Sequence, residues 1–249
     1  MDGDTVSGAA RHAAFAPLED GGRAEVVARR LGEAIALGLL ADGEQLPSEP
    51  ELAAQLRVAT VTLREALSTL RHDGLVETRR GRGGGSFARS PTEASMDRLR
   101  TTLRELSVHE LREIADQHLA ISGVAALLAA ERADDGDIAA LHGLIERLEA
   151  ASTPGDRRRA DARFHIEIAA AAQSSRLTRQ EIDLQAEVSE LLWMPSSEAI
   201  PHREAVADHR EILRAIESGD TALARSAAER HVTRGIERLI EFHLRLASA

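Results

Sequence analysis

The run Arg79-Arg80-Gly81-Arg82-Gly83-Gly84-Gly85 is the one stretch of this chain with the residues to turn a sheet. Gly74-Leu75-Val76-Glu77-Thr78 and Ser86-Phe87-Ala88 flank it as two short β-capable segments, and its glycines supply the positive φ that a hairpin tip demands. Elsewhere apolar/polar alternation is nearly absent, aromatics are 2%, and Ala, Leu, Glu and Arg recur at helical spacing. The expectation is a mainly α protein carrying a single β-hairpin.

At roughly 150 residues per domain, 249 residues suggest about two domains. Ser90-Pro91-Thr92 supplies turn chemistry just after the hairpin, and helical periodicity resumes beyond it, so the boundary is placed near residue 90. Hydrophobic residues are 43% and charged residues 29%, and no apolar run reaches the roughly 18 residues of a membrane span. Cysteine is absent, which excludes disulfides, thiolate zinc sites, iron–sulfur clusters and cysteine nucleophiles. Residues 1–22 have neither the basic start nor the apolar core of a secretory signal and read as a flexible leader, which makes the cytoplasm the expected compartment.

A net charge of −10 argues against a nucleic-acid partner, because phosphate binding rests on cationic surface. The average hides an island. Between Arg57 and Arg89 seven arginines face three acids, a local net of +4, and the rest of the chain carries −14. A solvated arginine-rich face would show the same charge, so charge alone does not decide between the two.

The first domain, 23–90, has three helical segments before the hairpin. Val26, Val27, Leu31, Ile35 and Leu39 form one apolar stripe. Ser48 followed by Glu51 is capping chemistry for a short helix over 52–56. A third segment over 60–72 directs Val61, Leu63, Ala66, Leu67 and Leu70 inward and leaves Thr62, Arg64, Glu65 and Arg71 outward. This order is that of a winged helix-turn-helix. Gly43-Glu44-Gln45-Leu46-Pro47-Ser48-Glu49, Leu63-Arg64-Glu65-Ala66-Leu67, Asp73-Gly74-Leu75-Val76 and Arg80-Gly81-Arg82-Gly83 together resemble the signature of GntR-type transcription regulators. The resemblance implies that Thr60, Thr62 and Arg64 reach base edges or phosphates in the major groove. It also implies that Arg79, Arg80 and Arg82, on a wing turned by Gly81 and Gly83, approach the backbone and minor groove. Two departures stand out: Ala59-Thr60 replaces the family's usual Ser-Arg, and Pro50 stands where a basic residue is common. The usual operator half-site is therefore not implied.

Residues 91–106 read as a linker and connecting helix, and 107–246 as a bundle of antiparallel helices, over about 107–132, 134–151, 156–173, 176–193, 203–217 and 220–246. Leu127-Leu128-Ala129-Ala130-Glu131-Arg132, Asp161-Ala162-Arg163-Phe164-His165, Asp208-His209-Arg210-Glu211-Ile212 and Arg230-His231-Val232 resemble the FCD ligand-binding bundle of the FadR branch of that family. The resemblance implies one divalent metal per chain on Asp161, His165, His209 and His231. Independently, Asp161 and His165 are spaced i, i+4 on one helix face, and the phase of Phe164 and Ile168 turns that face inward. Three imidazoles and a carboxylate suit zinc first, with nickel, manganese or iron(II) as alternatives, and leave positions open for a ligand oxygen. The family's usual effector is a small organic acid. Here His118 occupies the place of an effector-binding arginine and Ser122 that of a glutamate, so His118, Arg112 or Arg163 would supply the cation. The remaining histidines read as structural or surface residues.

The resemblance implies a homodimeric repressor on double-stranded operator DNA, released or engaged by a carboxylate effector. A regulator with a purely structural metal and no effector is the alternative. A metal-dependent enzyme is a remote third reading, because the chain has no H-E-x-x-H, no nucleotide-binding glycine loop and no paired E-x-x-H.

Overall fold

A computed structural model describes residues 8–17, 23–81, 83–91, 96–194 and 201–248. The chain divides into two compact units, Met1–Thr92 and Glu93–Ala249.

The first unit contains α1 (Gly8–Ala14), α2 (Ala24–Ala36), α3 (Glu49–Leu56), α4 (Thr60–His72), β1 (Val76–Arg79) and β2 (Gly85–Ala88). Val27, Leu31 and Ile35 of α2, Leu52 and Leu56 of α3, and Leu63, Leu67 and Leu70 of α4 share one buried core. The Ser48 amide donates to Glu51 Oε2 at 3.0 Å, the capping chemistry expected at the start of α3. Arg57 closes α3 in the left-handed region at φ 55°, and α4 begins three residues later. Strands β1 and β2 pair antiparallel, Val76 opposite Ala88 and Arg79 opposite Gly85. Residues 43–46 brace the hairpin, with Gly43 N donating to Ala88 O at 2.8 Å and Leu46 N to Ser86 O at 2.9 Å.

Two expectations are corrected here. Part of the leader is not flexible: α1 buries Ala10, Ala13 and Ala14, Phe15 follows at 8% exposure, and Arg30 Nη1 donates to Ala16 O at 2.8 Å. Alanines bury little area each, which is why so short an apolar stripe carries a weak signal in sequence. The rest of the leader, 1–7 and 18–22, lies outside the described residues. Val61, expected inward, is 62% exposed, because in the first turn of α4 it sits on the opposite side from Leu63 and Leu67.

The second unit is all helical among its described residues: α5 (Met96–Glu105), α6 (Val108–Arg132), α7 (Asp135–Ala150), α8 (Pro154–Ala171), α9 (Ser175–Leu192), α10 (His202–Glu217) and α11 (Thr221–Ala247). Local signals mark the boundaries. Ser107 Oγ accepts from Glu110 N at 3.1 Å, Asp134 Oδ1 accepts from Gly136 N and Asp137 N, and Asp220 Oδ1 accepts from Leu223 N at 2.9 Å. Pro154 opens α8, and Gly219 at φ 68° follows α10. Phe164, Ile168, Leu184, Val188, Ile212, Ile216, Val232 and Ile236 build a continuous core from α8, α9, α10 and α11. No helix of the described residues is long and apolar enough to cross a membrane.

Candidate metal centre and nucleic-acid interface

In the first unit the expected DNA-reading residues fall on α4 and the hairpin. Thr60 and Thr62 are half-exposed in the first turn of α4. Arg64 is exposed one turn on, and its Nε donates to Glu49 Oε2 at 2.6 Å. Val61, which the sequence reading had assigned to the core, is an exposed apolar side chain beside them. On the hairpin, Arg79 is held by Glu77 Oε1 at 2.6 Å and lies over the Phe87 ring, 4.1 Å from its centroid. Arg80 is exposed, and Arg82 lies outside the described residues. Gly81 and Gly83 take φ 99° and 83°, the left-handed values a tight tip needs. Gly84 was not singled out from sequence, yet a Cβ there would stand 2.5 Å from Arg79 O.

In the second unit four side chains from three helices converge. Asp161 and His165 come from α8, His209 from α10 and His231 from α11; all are buried, and one ligand atom from each lies within 4.8 Å of all the others. Ring centroids are 5.3 Å apart for His165 and His209, 5.2 Å for His165 and His231, and 4.9 Å for His209 and His231. Phe164 stacks on His209 at 4.0 Å and 13°, which fixes that ring's plane. His231 Nδ1 lies 3.0 Å from Asp208 Oδ2, and Asp208 Oδ1 accepts from Arg234 Nη2 at 2.6 Å. An ionised carboxylate only accepts, so Nδ1 is the donor in that bond and Nε2 is the ring nitrogen left for the centre.

The electrostatics suit a cation. Burial pushes His165 and His209 below the ordinary histidine range and His118 down to about 4, so all three rings are neutral at physiological pH. Burial opposes ionisation of Asp161, but His209, His165 and His231 around it outweigh that penalty and hold it below the ordinary carboxylate range. His209 Nε2 and Asp161 Oδ1 lie 3.2 Å apart without hydrogen-bond alignment, and both are buried without a hydrogen-bond partner. Buried polar atoms left this way are costly unless something satisfies them, and a divalent cation satisfies lone pairs and negative charge together. The residues present therefore fit a metal.

A cavity of about 10 Å³ adjoins this cluster, lined in part by His118, Gln185, Leu192 and Gly235. Of the residues expected to meet an effector, His118 lines it and Arg112 and Arg163 do not. Arg112 is exposed on α6, six residues and a different helical face from His118. Arg163 is half-buried on α8, two residues from Asp161 and so rotated away from the ligand face. The sequence reading missed a buried polar group behind the cavity. Ser122 Oγ donates to Glu181 Oε2 at 2.9 Å, Gln185 Nε2 donates to Glu181 Oε1 at 2.9 Å, and His118 Nε2 is 3.4 Å from Gln185 Nε2. Burial raises Glu181 to about 7. The i, i+4 pairing of Glu181 and Gln185 on the buried face of α9, beside Ile182, Leu184 and Val188, was the available signal.

Residues 23–84 match the family described as bacterial regulatory proteins, gntR family, and residues 113–234 match the FCD domain. RmpR of Mycobacterium gastri, named as an HTH-type transcriptional regulator, is 43% identical over 91% of this chain and 84% of its own length. The chain belongs to the GntR family. Within it, this is an FCD-bearing regulator that binds DNA, and its relatives are named as transcriptional regulators and not as enzymes. A protein of Paenarthrobacter nicotinovorans named as a D-xylose utilization operon transcriptional repressor is 33% identical over 74% of each chain. The solved structure of Escherichia coli McbR/YncC aligns over 88% of this chain and 97% of its own, with a TM-score of 0.53 and 20% identity, a likeness of fold.

Proposed function

We propose that this GntR regulator is a homodimeric repressor whose FCD unit holds one divalent metal on Asp161, His165, His209 and His231 and answers to a small-molecule effector bound beside it. The observation that carries the reading is the buried convergence of those four side chains, with three of their atoms lacking hydrogen-bond partners. A metal there would supply Lewis acidity and open coordination positions to an anionic ligand oxygen. His118 and Gln185 face the same cavity and would orient that ligand. His118 is neutral and no arginine lines the cavity, so a carboxylate effector would find its counter-charge in the metal. Repression agrees with the name of the xylose-operon relative, and one winged unit per chain requires two copies to span a pseudo-palindromic operator. The cytoplasm, where the DNA lies, is the fitting compartment.

A second reading rests on the cavity itself. About 10 Å³ is room for a water at most, so an organic effector requires the lining helices to part, whereas a purely structural metal requires nothing. One experiment separates the readings. Elemental analysis of the purified protein is expected to find one metal per chain, lost in His209→Ala and Asp161→Ala. Short hydroxy-, keto- and sugar acids are then titrated into the metal-loaded protein on a duplex from its own promoter. A change in DNA affinity supports the effector reading, metal without any such change supports the structural one, and metal-free wild type discards both.

A further inference from the structure

Helix α1 precedes residue 23, where the match to the gntR family begins, so the family assigns it no role. It forms one wall of an open groove of about 610 Å³, where Arg11, His12 and Phe15 face Ala54, Gln55 and Arg57. Among the described residues, two arginines and a histidine line this groove and no acidic residue does. Arg11 is partly spoken for by its ion pair with Glu44. Arg57 has no such partner among the described residues, and it is exposed.

The backbone makes Arg57 the informative residue. At φ 55° and ψ 44° it occupies the left-handed position that ends a helix, where glycine is the ordinary occupant. Keeping an arginine there sacrifices backbone ease and retains a guanidinium. Its location fits a phosphate. In helix-turn-helix docking the first helix of the pair crosses the sugar–phosphate backbone while the second enters the major groove. Helix α3 is that first helix. Ala54 and Gln55 are exposed on the side opposite its buried Leu52, Ala53 and Leu56. From Arg57 to Thr60, the first residue of α4, is three residues, at most roughly 10 Å of chain.

We propose that the α1–α3 groove, through Arg57 with Arg11 and His12, grips a phosphodiester of the operator backbone beyond the contacts of α4 and the wing. The inference rests on the DNA-binding reading and adds a sequence-independent contact to it. A cation at the C-terminal end of α3 also offsets the helix dipole, and that role would appear in thermal stability and leave the salt dependence of binding unchanged.

The test uses the full chain and a fluorescein-labelled random-sequence duplex of about 30 base pairs, titrated by anisotropy between about 50 and 200 mM salt. Arg57→Gly keeps the left-handed backbone at no steric cost, so its Tm should match or exceed that of the wild type. Its slope of log affinity against log salt should be shallower by about 0.9, with binding several-fold weaker at the low-salt end. Arg57→Lys should keep the wild-type slope, Arg11→Gln should make it shallower, and Ala54→Arg should steepen it by about 0.9. Coincident slopes for Arg57→Gly and the wild type, with or without a change in Tm, overturn the proposal. Wild type that fails to bind any duplex would instead overturn the DNA-binding reading on which it stands.

Discussion

The Glu181 carboxyl is fully buried, accepts hydrogen bonds from Ser122 and Gln185, and is raised by burial to about 7. In the unfolded chain it titrates near 4.5. Between those two values the folded state keeps a proton that the unfolded state releases, so stability is complete below about 4.5 and declines as pH rises toward 7. The decline amounts to about 3 kcal/mol, from about 1.4 kcal/mol for each pH unit of the interval. Glu181→Gln removes the titration; its amide oxygen accepts from Gln185 Nε2, and its amide nitrogen donates to Ser122 Oγ, which reverses that bond. Chemical denaturation of metal-stripped protein at pH 5 and pH 8 should therefore show a smaller loss of stability in the variant, and equal losses would place the proton elsewhere. Arg64 is likewise committed to a partner. Its guanidinium is held by Glu49 at 2.6 Å, so an Arg64 that reads DNA would have to exchange that partner for a base or phosphate. Arg64→Ala should cost about 1–3 kcal/mol on the protein's own promoter duplex in a gel-shift assay. Glu49→Ala removes a competing negative charge and should tighten binding, and a loss of affinity there would mean the pair is needed intact to pose α4.

At the scale of elements, the wing depends on a glycine chosen for space. A Cβ at Gly84 would stand 2.5 Å from Arg79 O and 2.9 Å from Gly81 O, both backbone atoms that cannot swing aside. Gly84→Ala should therefore open the hairpin, lowering DNA affinity while leaving the helical circular dichroism nearly unchanged; wild-type affinity would remove the wing from the interface. The cue for a glycine tip was legible in the repeated Gly of 81–85, but which glycine is sterically required depends on how the strands close, and that is a tertiary fact. The helices of the second unit were legible for a local reason: Ser107, Asp134, Pro154 and Asp220 each announce a start that the backbone then uses. The convergence of Asp161, His165, His209 and His231 was legible through spacing and motif. Glu181, Gln185 and Asp208 were not, because a buried polar residue on a helix reads as a surface residue until its neighbours across the bundle are known. Helix α1 was missed because small alanines carry little periodic signal, and Val61 because an apolar residue at helical phase is taken for core.

For the molecule as a whole, cationic charge and the buried histidine cluster divide between two units that each bury a core of their own. The arginine-rich island lies in 57–89 of the first unit, and the buried histidine and aspartate cluster lies wholly in the second. If the second unit binds a cation only when folded, its stability rises with free metal by RT ln(1 + [M]/Kd), about 2.7 kcal/mol at a hundredfold excess over Kd. For a unit of its size each kcal/mol moves Tm by about 2–4 °C, so chelation should lower its melting by roughly 5–10 °C. The first unit offers no buried histidine among its described residues and should melt at the same temperature with or without chelator. Scanning calorimetry of the full chain, with and without a strong chelator, should therefore show one transition that moves and one that stays. Two transitions that shift together would mean the units unfold as one cooperative body, so that occupancy of the histidine cluster is felt by the reading helix through stability alone. Two that both stay would mean that the cluster holds no metal, and that its buried imidazoles are tolerated for packing against Phe164 and Asp208.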